Sequence, residues 1–274
     1  MAVVDVVSCP HDPRTHGGEL ALRTRPTSAL AAAMGSLLAR ARRPGAGIAE
    51  PLLRAVLRGY VRASGVRCRV VNSAEEQARV NAFRRRVFAG AGYPEGLAAR
   101  TERYDPHSIG VAAYAGDALV GALRLIHAGR SCRVLDLWNV ALPPEVRPAQ
   151  IHELSGLAID GSRRGRGRAA LLGLLDVALE VARAQDVRWW IVSAQPRTFR
   201  SFLRINERCT ILTPEPPTER HLAHRRDFDE YLRSHGATIT IGLFDLSAVS
   251  YVQNLTGSLR GRLRGRLGGV TRGG

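Results

Sequence analysis

An apolar strand that runs into an Arg/Gly loop and then a helix constrains this chain more than any other stretch. Glu153-Leu154-Ser155-Gly156-Leu157-Ala158-Ile159-Asp160 reads as the strand, Gly161-Ser162-Arg163-Arg164-Gly165-Arg166-Gly167-Arg168-Ala169 as the loop, and 170–184 as the helix. The first N–H groups of such a helix have no internal partner, and its dipole is positive at that end. Glycine lets the backbone come close to a bound group. One reading is a phosphate or pyrophosphate cradle. The other is an arginine-rich turn in an arginine-rich protein, and local chemistry does not separate the two.

Arginine is the difficulty. All 40 basic residues among the 274 are Arg, and the formal charge is +16. A genomic bias toward Arg explains the absence of Lys, so no single Arg is evidence of bidentate recognition. A positive surface favours acidic partners: nucleic acid, an anionic membrane or an acidic carrier protein. Nucleic acid is not expected, because the basic tail lacks interleaved aromatics and the chain has no DNA-reading motif. No apolar run approaches the ~20 residues of a membrane span, and the N-terminus lacks the pattern of a signal peptide. A cytoplasmic location is expected. Cys9, Cys68, Cys132 and Cys209 are scattered without metal-site spacing; they read as reduced, and no metal site is predicted.

Residues 1–25 are polar and aperiodic and read as disordered. Residues 26–65 form an N-terminal helical extension. Its second helix carries Leu52, Leu53, Val56, Leu57, Tyr60 and Val61 at helical spacing, with Arg54, Arg58 and Arg62 on the other face. It packs on the main domain or, alternatively, makes peripheral contact with a membrane or carrier protein. Residues 66–256 alternate strands and helices. Strands are predicted over 66–71, 108–114, 118–126, 134–138, 153–160, 187–193, around Ile211, and over 238–244. Helices are predicted over 73–89, 170–184, 196–204 and 218–234. Residues 257–274 form a basic Arg/Gly tail that reads as disordered.

This order of strands and helices resembles the GNAT fold of acyltransferases. That is an α/β (α+β) architecture, a mixed central sheet flanked by helices. Arg164-Gly165-Arg166-Gly167-Arg168-Ala169 resembles the acyl-CoA motif of that family, in the strand-to-helix context it requires. Four segments resemble the branch of autoinducer synthases and long-chain N-acyl amino acid synthases. They are Arg84-Arg85-Arg86-Val87-Phe88, Glu102-Arg103-Tyr104-Asp105-Pro106-His107-Ser108, Val120-Gly121-Ala122-Leu123-Arg124-Leu125-Ile126, and the strand beginning at Glu153. They occur in the family's order and span roughly residues 66–205. Two departures stand out. The family's Arg after the Ser is Gly156 here. The helix that often carries a Tyr to protonate the leaving thiolate has Phe199 and Phe202, so a water serves or the thiolate leaves unprotonated.

The resemblance implies N-acyl transfer from a phosphopantetheine thioester, as acyl-CoA or acyl-carrier protein, to the amine of a small amino-acid-like acceptor. No cofactor is permanently bound; the thioester is a co-substrate. Glu153 is the expected general base, with an ion pair to an Arg such as Arg124 as the alternative. Glu102, Asp105 and Ser155 fall on the acceptor side. Arg124 is the expected anchor of a substrate carboxylate, or a structural partner, and Arg86 a contact to substrate or carrier. The backbone of Leu157, Ala158 and Ile159 would run beside the pantetheine arm. Arg163, Arg164, Gly165, Arg166, Gly167, Arg168 and Ala169 would hold its phosphates. An autoinducer synthase is one alternative. A non-catalytic carrier- or CoA-binding protein is another, to which Gly156 and the missing Tyr point.

Overall fold

The computed structural model describes residues 49–94, 101–161, 166–206 and 208–248. The first expected helix, residues 1–25, the 257–274 tail, and Arg163, Arg164 and Gly165 lie outside them. The chain runs α1 (Ala49–Ala63), β1 (Val66–Val70), α2 (Ala74–Gly90), a 3₁₀ turn (Thr101–His107), β2 (Ser108–Ala115), β3 (Ala118–His127) and α3 (Arg133–Leu137). There follow β4 (Ile151–Ile159), α4 (Gly167–Ala184), β5 (Trp189–Ala194), α5 (Pro196–Leu203), β6 (Cys209–Leu212), α6 (Glu219–Ser234) and β7 (Thr240–Asp245). The strands form one mixed sheet in the order β1-β2-β3-β4-β5-β7-β6.

Helices cover both faces of the sheet. Residues of α1, α4 and α5 join one apolar core, with Leu123, Leu125, Leu154, Leu157 and Ile159. Those of α2, α3 and α6 join the other, with Ile151, Ala158, Ile191 and Leu243. β4 lies between both layers, and all nine of its residues are buried. Its composition is accordingly apolar without strict alternation.

Local chemistry starts and anchors these helices. Ser73 caps α2 by accepting the N–H of Glu76, and the Glu76 carboxylate accepts the N–H of Asn72. Two otherwise orphaned donors are thereby satisfied. Leu53, Leu57 and Val61 of α1, four apart, are buried, each contributing about 1.5–3 kcal/mol. The arginine face of α1 is anchored too. Arg54 Nε and Arg58 Nε donate to the two oxygens of Asp176 on α4, at 2.6 and 2.8 Å.

Two features of β4 shape the molecule. Arg124 of β3 pairs with Ser155, but Ala122 pairs with Ala158, so Leu123 faces both Gly156 and Leu157. This is a β-bulge, and its extra residue, Gly156, has φ +61°, the left-handed region that glycine tolerates. On its other side β4 pairs in parallel with β5 at only three positions, ending with Glu153 and Ile191. Beyond Glu153 the strands part, since β5 continues along β7 through Ala194 and Thr240.

One expected strand is a helix. Residues 134–138 were predicted extended, whereas Arg133–Leu137 is α3. The cause is tertiary: Glu153 Oε2, from the neighbouring strand, accepts the Val134 N–H at 3.0 Å. A cap supplied by a residue some twenty positions away leaves no local signature.

Candidate active site

Three arginines on three elements converge on the α2 face of the sheet. Arg84 (α2), Arg124 (β3) and Arg133 (α3) are 4%, 1% and 2% exposed. Arg124 Nη1 donates to Asp105 Oδ1 at 2.7 Å and its Nη2 to Ser155 Oγ at 3.0 Å. Arg84 Nη2 donates to Asn81 Oδ1 and lies 3.3 Å from Asp105 Oδ1. Asn81 in turn donates to Asp105 Oδ2 at 2.7 Å. Arg133 Nη1 reaches Ser155 Oγ at 3.5 Å, and its Nη2 is buried without a hydrogen-bond partner among the described residues.

Burial lowers the Arg84 guanidinium to about 10, with Arg124 adding repulsion and Asp105 opposing it. Burial takes Arg133 to about 9, against the pull of Glu153 and Asp136. Burial alone would raise Asp105, but Arg84 and Arg124 outweigh it and hold the carboxyl below its ordinary range. Among the described residues Asp105 pairs with both Arg84 and Arg124, while Arg133 makes no ion pair and keeps one buried nitrogen without a hydrogen-bond partner. Buried charge is costly unless paired, and such groups cluster at functional sites. An anionic group brought here would relieve it.

Glu153 sits beside this nest, fully buried. Oε2 accepts from Val134 N and from the Cys132 thiol, while Oε1 has no partner among the described residues. Burial raises its pKa, with Arg133 the main opposing influence. A carboxyl moved toward neutrality with one unengaged oxygen has the properties of a general base or an ammonium acceptor. Burial also pushes Cys132 well above the ordinary thiol range, with Glu153 adding to it, which keeps that thiol neutral rather than nucleophilic.

The opposite border is the gap between β4 and β5. There the edge of residues 154–159 has no strand partner among the described residues. α4 begins beside it. Its N-cap, Arg166, makes no side-chain capping bond, and no acid occupies the first turn. Gly167 lies against Ile159: an added Cβ would come 3.3 Å from Ile159 Cγ2. Ala169 is buried, while Arg166 and Arg168 are exposed at the helix start. Phe199 and Phe202 are buried against Phe244, so α5 presents no phenol here.

Asp105, Arg124, Glu153 and Ser155 are therefore neighbours, although they come from three separate stretches of sequence. Arg86 is not among them. It is exposed, lying over the Phe83 ring, and Arg84 takes the inward place. The helical spacing of Val80, Phe83, Val87 and Phe88, all buried, puts Arg84 on the inner face and Arg86 on the outer, a signal present in the sequence. Glu102 pairs with Arg85 at 3.5 Å rather than entering the nest. Arg133 was not expected at all, since a strand over 134–138 gave it no direction. Arg84 also bears on the departure at position 156: a Cβ there would sit 2.9 Å from Arg84 Nη1. The α2 arginine occupies the space where the family's arginine would start.

A mixed sheet in this order, with one parallel pair that parts beside an uncapped, glycine-started helix, defines a GNAT-type acyltransferase. The chain belongs to the family of the N-acyl amino acid synthase FeeM, which matches residues 79–215. No curated protein matches it by sequence. Among solved structures it is similar to FeeM from uncultured soil microbes, at 14% identity over 69% of this chain and 97% of that one, TM-score 0.46. It is similar to TofI in a ternary complex with an inhibitor and MTA, at 19% identity over 70% and 99%, TM-score 0.47. A third is the GNAT domain of S. lividans PAT, at 18% identity over 66% and 90%, TM-score 0.40.

Proposed function

We propose that this acyltransferase moves an acyl group from a phosphopantetheine thioester to the amine of a small, carboxylate-bearing acceptor such as an amino acid. The observation that carries this reading is the guanidinium nest beside an unengaged Glu153 oxygen. The acceptor's carboxylate binds among Arg84, Arg124 and Arg133, where it meets the Arg133 Nη2 that has no hydrogen-bond partner among the described residues. Its ammonium then lies toward Glu153, which takes a proton. The free amine attacks the thioester carbonyl in a ternary complex. The C–N bond forms, the tetrahedral intermediate collapses, and the C–S bond breaks. The thiolate leaves with a pKa of ~8.5, so solvent suffices to protonate it and no tyrosine is needed.

The thioester arm lies along the open β4 edge, where a backbone N–H of residues 157–159 stabilises the oxyanion. The donor phosphates rest at the start of α4, supported by Arg163, Arg164, Arg166 and Arg168 around Gly165 and Gly167. An acyl-carrier protein is the favoured donor, because its acidic surface suits the +16 chain.

The test is thioester consumption by the purified protein with acyl-carrier and acyl-CoA donors. The acceptors are the twenty amino acids, their decarboxylated amines, and S-adenosylmethionine, with products identified by mass spectrometry. N-acyl amino acids from the acids but not from the amines are expected. Equal use of the decarboxylated amines would overturn the carboxylate reading. Hydrolysis alone would overturn amine transfer.

A further inference from the structure

Two of the three buried guanidinia owe their places to Asp105. Arg133 does not. Its contact with Ser155 Oγ, at 3.5 Å, is the guanidinium's one hydrogen bond among the described residues. Arg133 opens α3, a helix of only five residues. So short a helix does not hold its own shape. Neighbouring elements must fix it, and with it the direction of Arg133.

Tyr104 supplies that support from the 3₁₀ turn, one residue before Asp105. It is buried. Its hydroxyl donates to Asp136 Oδ2 at 2.9 Å and accepts from Arg103 Nη2 at 2.7 Å. Burial raises the pKa of the phenol, against the bond from Arg103 and with the charge of Asp136. The proton therefore stays on Tyr104 and the bond to Asp136 keeps its direction. Asp136 lies on α3 three residues after Arg133, and its Oδ1 accepts from Arg220 of α6 at 2.7 Å. The Arg133 guanidinium itself lies 6.0 Å from the centroid of the Tyr104 ring, within reach of cation–π attraction. Tyr104 thus grips α3 twice, at Asp136 through its hydroxyl and at Arg133 through its ring.

We propose that Tyr104 is a positioning residue for the acceptor site: its ring holds the Arg133 guanidinium in the nest, and its bond to Asp136 fixes the helix that carries it. It acts through Arg133 rather than on the reacting atoms. Its effect on turnover rests on the carboxylate reading above. A displaced Arg133 weakens the grip on an acceptor carboxylate and leaves the donor half of the site alone. Two adjacent residues of one turn then set all three guanidinia, Asp105 by its charge and Tyr104 by its ring and hydroxyl.

The test joins kinetics to spectra of the full chain. Selectivity is read as kcat/KM for the best of the twenty amino acids relative to its carboxamide, which keeps the amine and lacks the charge. Tyr104→Leu removes ring and hydroxyl, and should raise the acceptor KM and lower the acid-over-amide preference by about tenfold, the scale of a desolvated cation–π contact. Tyr104→Phe and Asp136→Asn loosen only the hydroxyl tie and should each cost about threefold. In all three, kcat and the donor KM should hold within about twofold. Arg133→Gln should lower the preference as Tyr104→Leu does, and the two together no further. Additive losses would overturn the proposal, as would a fall in kcat with the preference intact, the mark of a merely destabilised protein. Nitrogen-15 spectra need no turnover. The Arg133 guanidinium signals, assigned by their loss in Arg133→Gln, should shift and exchange faster with water in Tyr104→Leu and Asp136→Asn. A wild-type protein without preference for the acid would sink the carboxylate reading, whereas Arg133 signals unchanged in both variants would overturn the positioning itself. Asp136 is partly exposed, so its variant keeps the test decisive even where Tyr104→Leu fails to fold.

Discussion

Gly156→Ala is the most direct perturbation of the acceptor side. The residue sits at φ +61°, where a side chain costs about 1–2 kcal/mol. The new Cβ would lie 2.9 Å from Arg84 Nη1 and 3.3 Å from its Cδ, so the guanidinium must move. Arg84 then loses its bond to Asn81 and its approach to Asp105, at about 1.5–3 kcal/mol for a charge-assisted contact. The two costs overlap, since one shift relieves part of each; a net loss of about 2–4 kcal/mol is expected. With a urea slope of about 2–3 kcal/mol/M, the unfolding midpoint should fall by roughly 1 M. On the proposed function, the acceptor KM should rise at least about tenfold while the donor KM holds. Arg84→Gln should reproduce the KM effect without the backbone cost. A midpoint moved by less than about 0.3 M, together with an unchanged acceptor KM, would refute both the strained bulge and the place given to Arg84.

Three further outcomes are expected. Gly167→Glu should abolish CoA or carrier binding in calorimetry while leaving the thermal midpoint within a few degrees; donor affinity that survives would move the phosphate cradle off α4. Glu153 has its pKa raised by burial from an ordinary 4.5, so the native state holds the proton more tightly than the unfolded chain. Its stabilising contribution is complete below the unfolded pKa and is lost as pH rises through the folded one. Glu153→Gln should remove that decline in urea titrations from pH 4 to 8 and also the acid limb of the rate profile; a stability difference constant across the range would count against it. Asp176→Asn takes the carboxylate from Arg54 and Arg58 and should cost about 2–3 kcal/mol, with early tryptic cleavage in α1. Unaltered proteolysis would show that the apolar stripe alone holds that helix.

Much of the fold was readable because its signals are local. The hairpin of β2 and β3 announces itself by the turn residues Gly116 and Asp117 between apolar runs. α2 and α6 begin at Ser73 and Thr218, whose capping geometry is formed. The wholly buried β4 shows in its composition. What could not be read depended on distant partners. α3 is held by a carboxylate from β4, and the arginine face of α1 turned out to grip Asp176. At the site the residue types were legible but their directions were less so. Arg84 and Arg86 differ by two positions on one helix, about 200° apart, so only the phase of the apolar residues tells them apart. Three guanidinia from three elements meet only once the sheet has brought β3 and β4 side by side.

The bulge in β4 has a consequence for what changes in chain length this protein can absorb. Leu154 and Leu157 both join the α4 core though they are three residues apart, because Gly156 adds one step and resets the alternation. Upstream of it, Glu153 and Ser155 keep their phase toward the nest. Losing one residue among 151–155 would turn the acid and the serine into the leucine core and carry a leucine into the arginines. Within β4 the glycine already accommodates a single-residue difference in length against β3, so a deletion there would straighten the strand and misplace everything after it. Insertions and deletions should be tolerated in the loops at either end of β4 and almost nowhere within it.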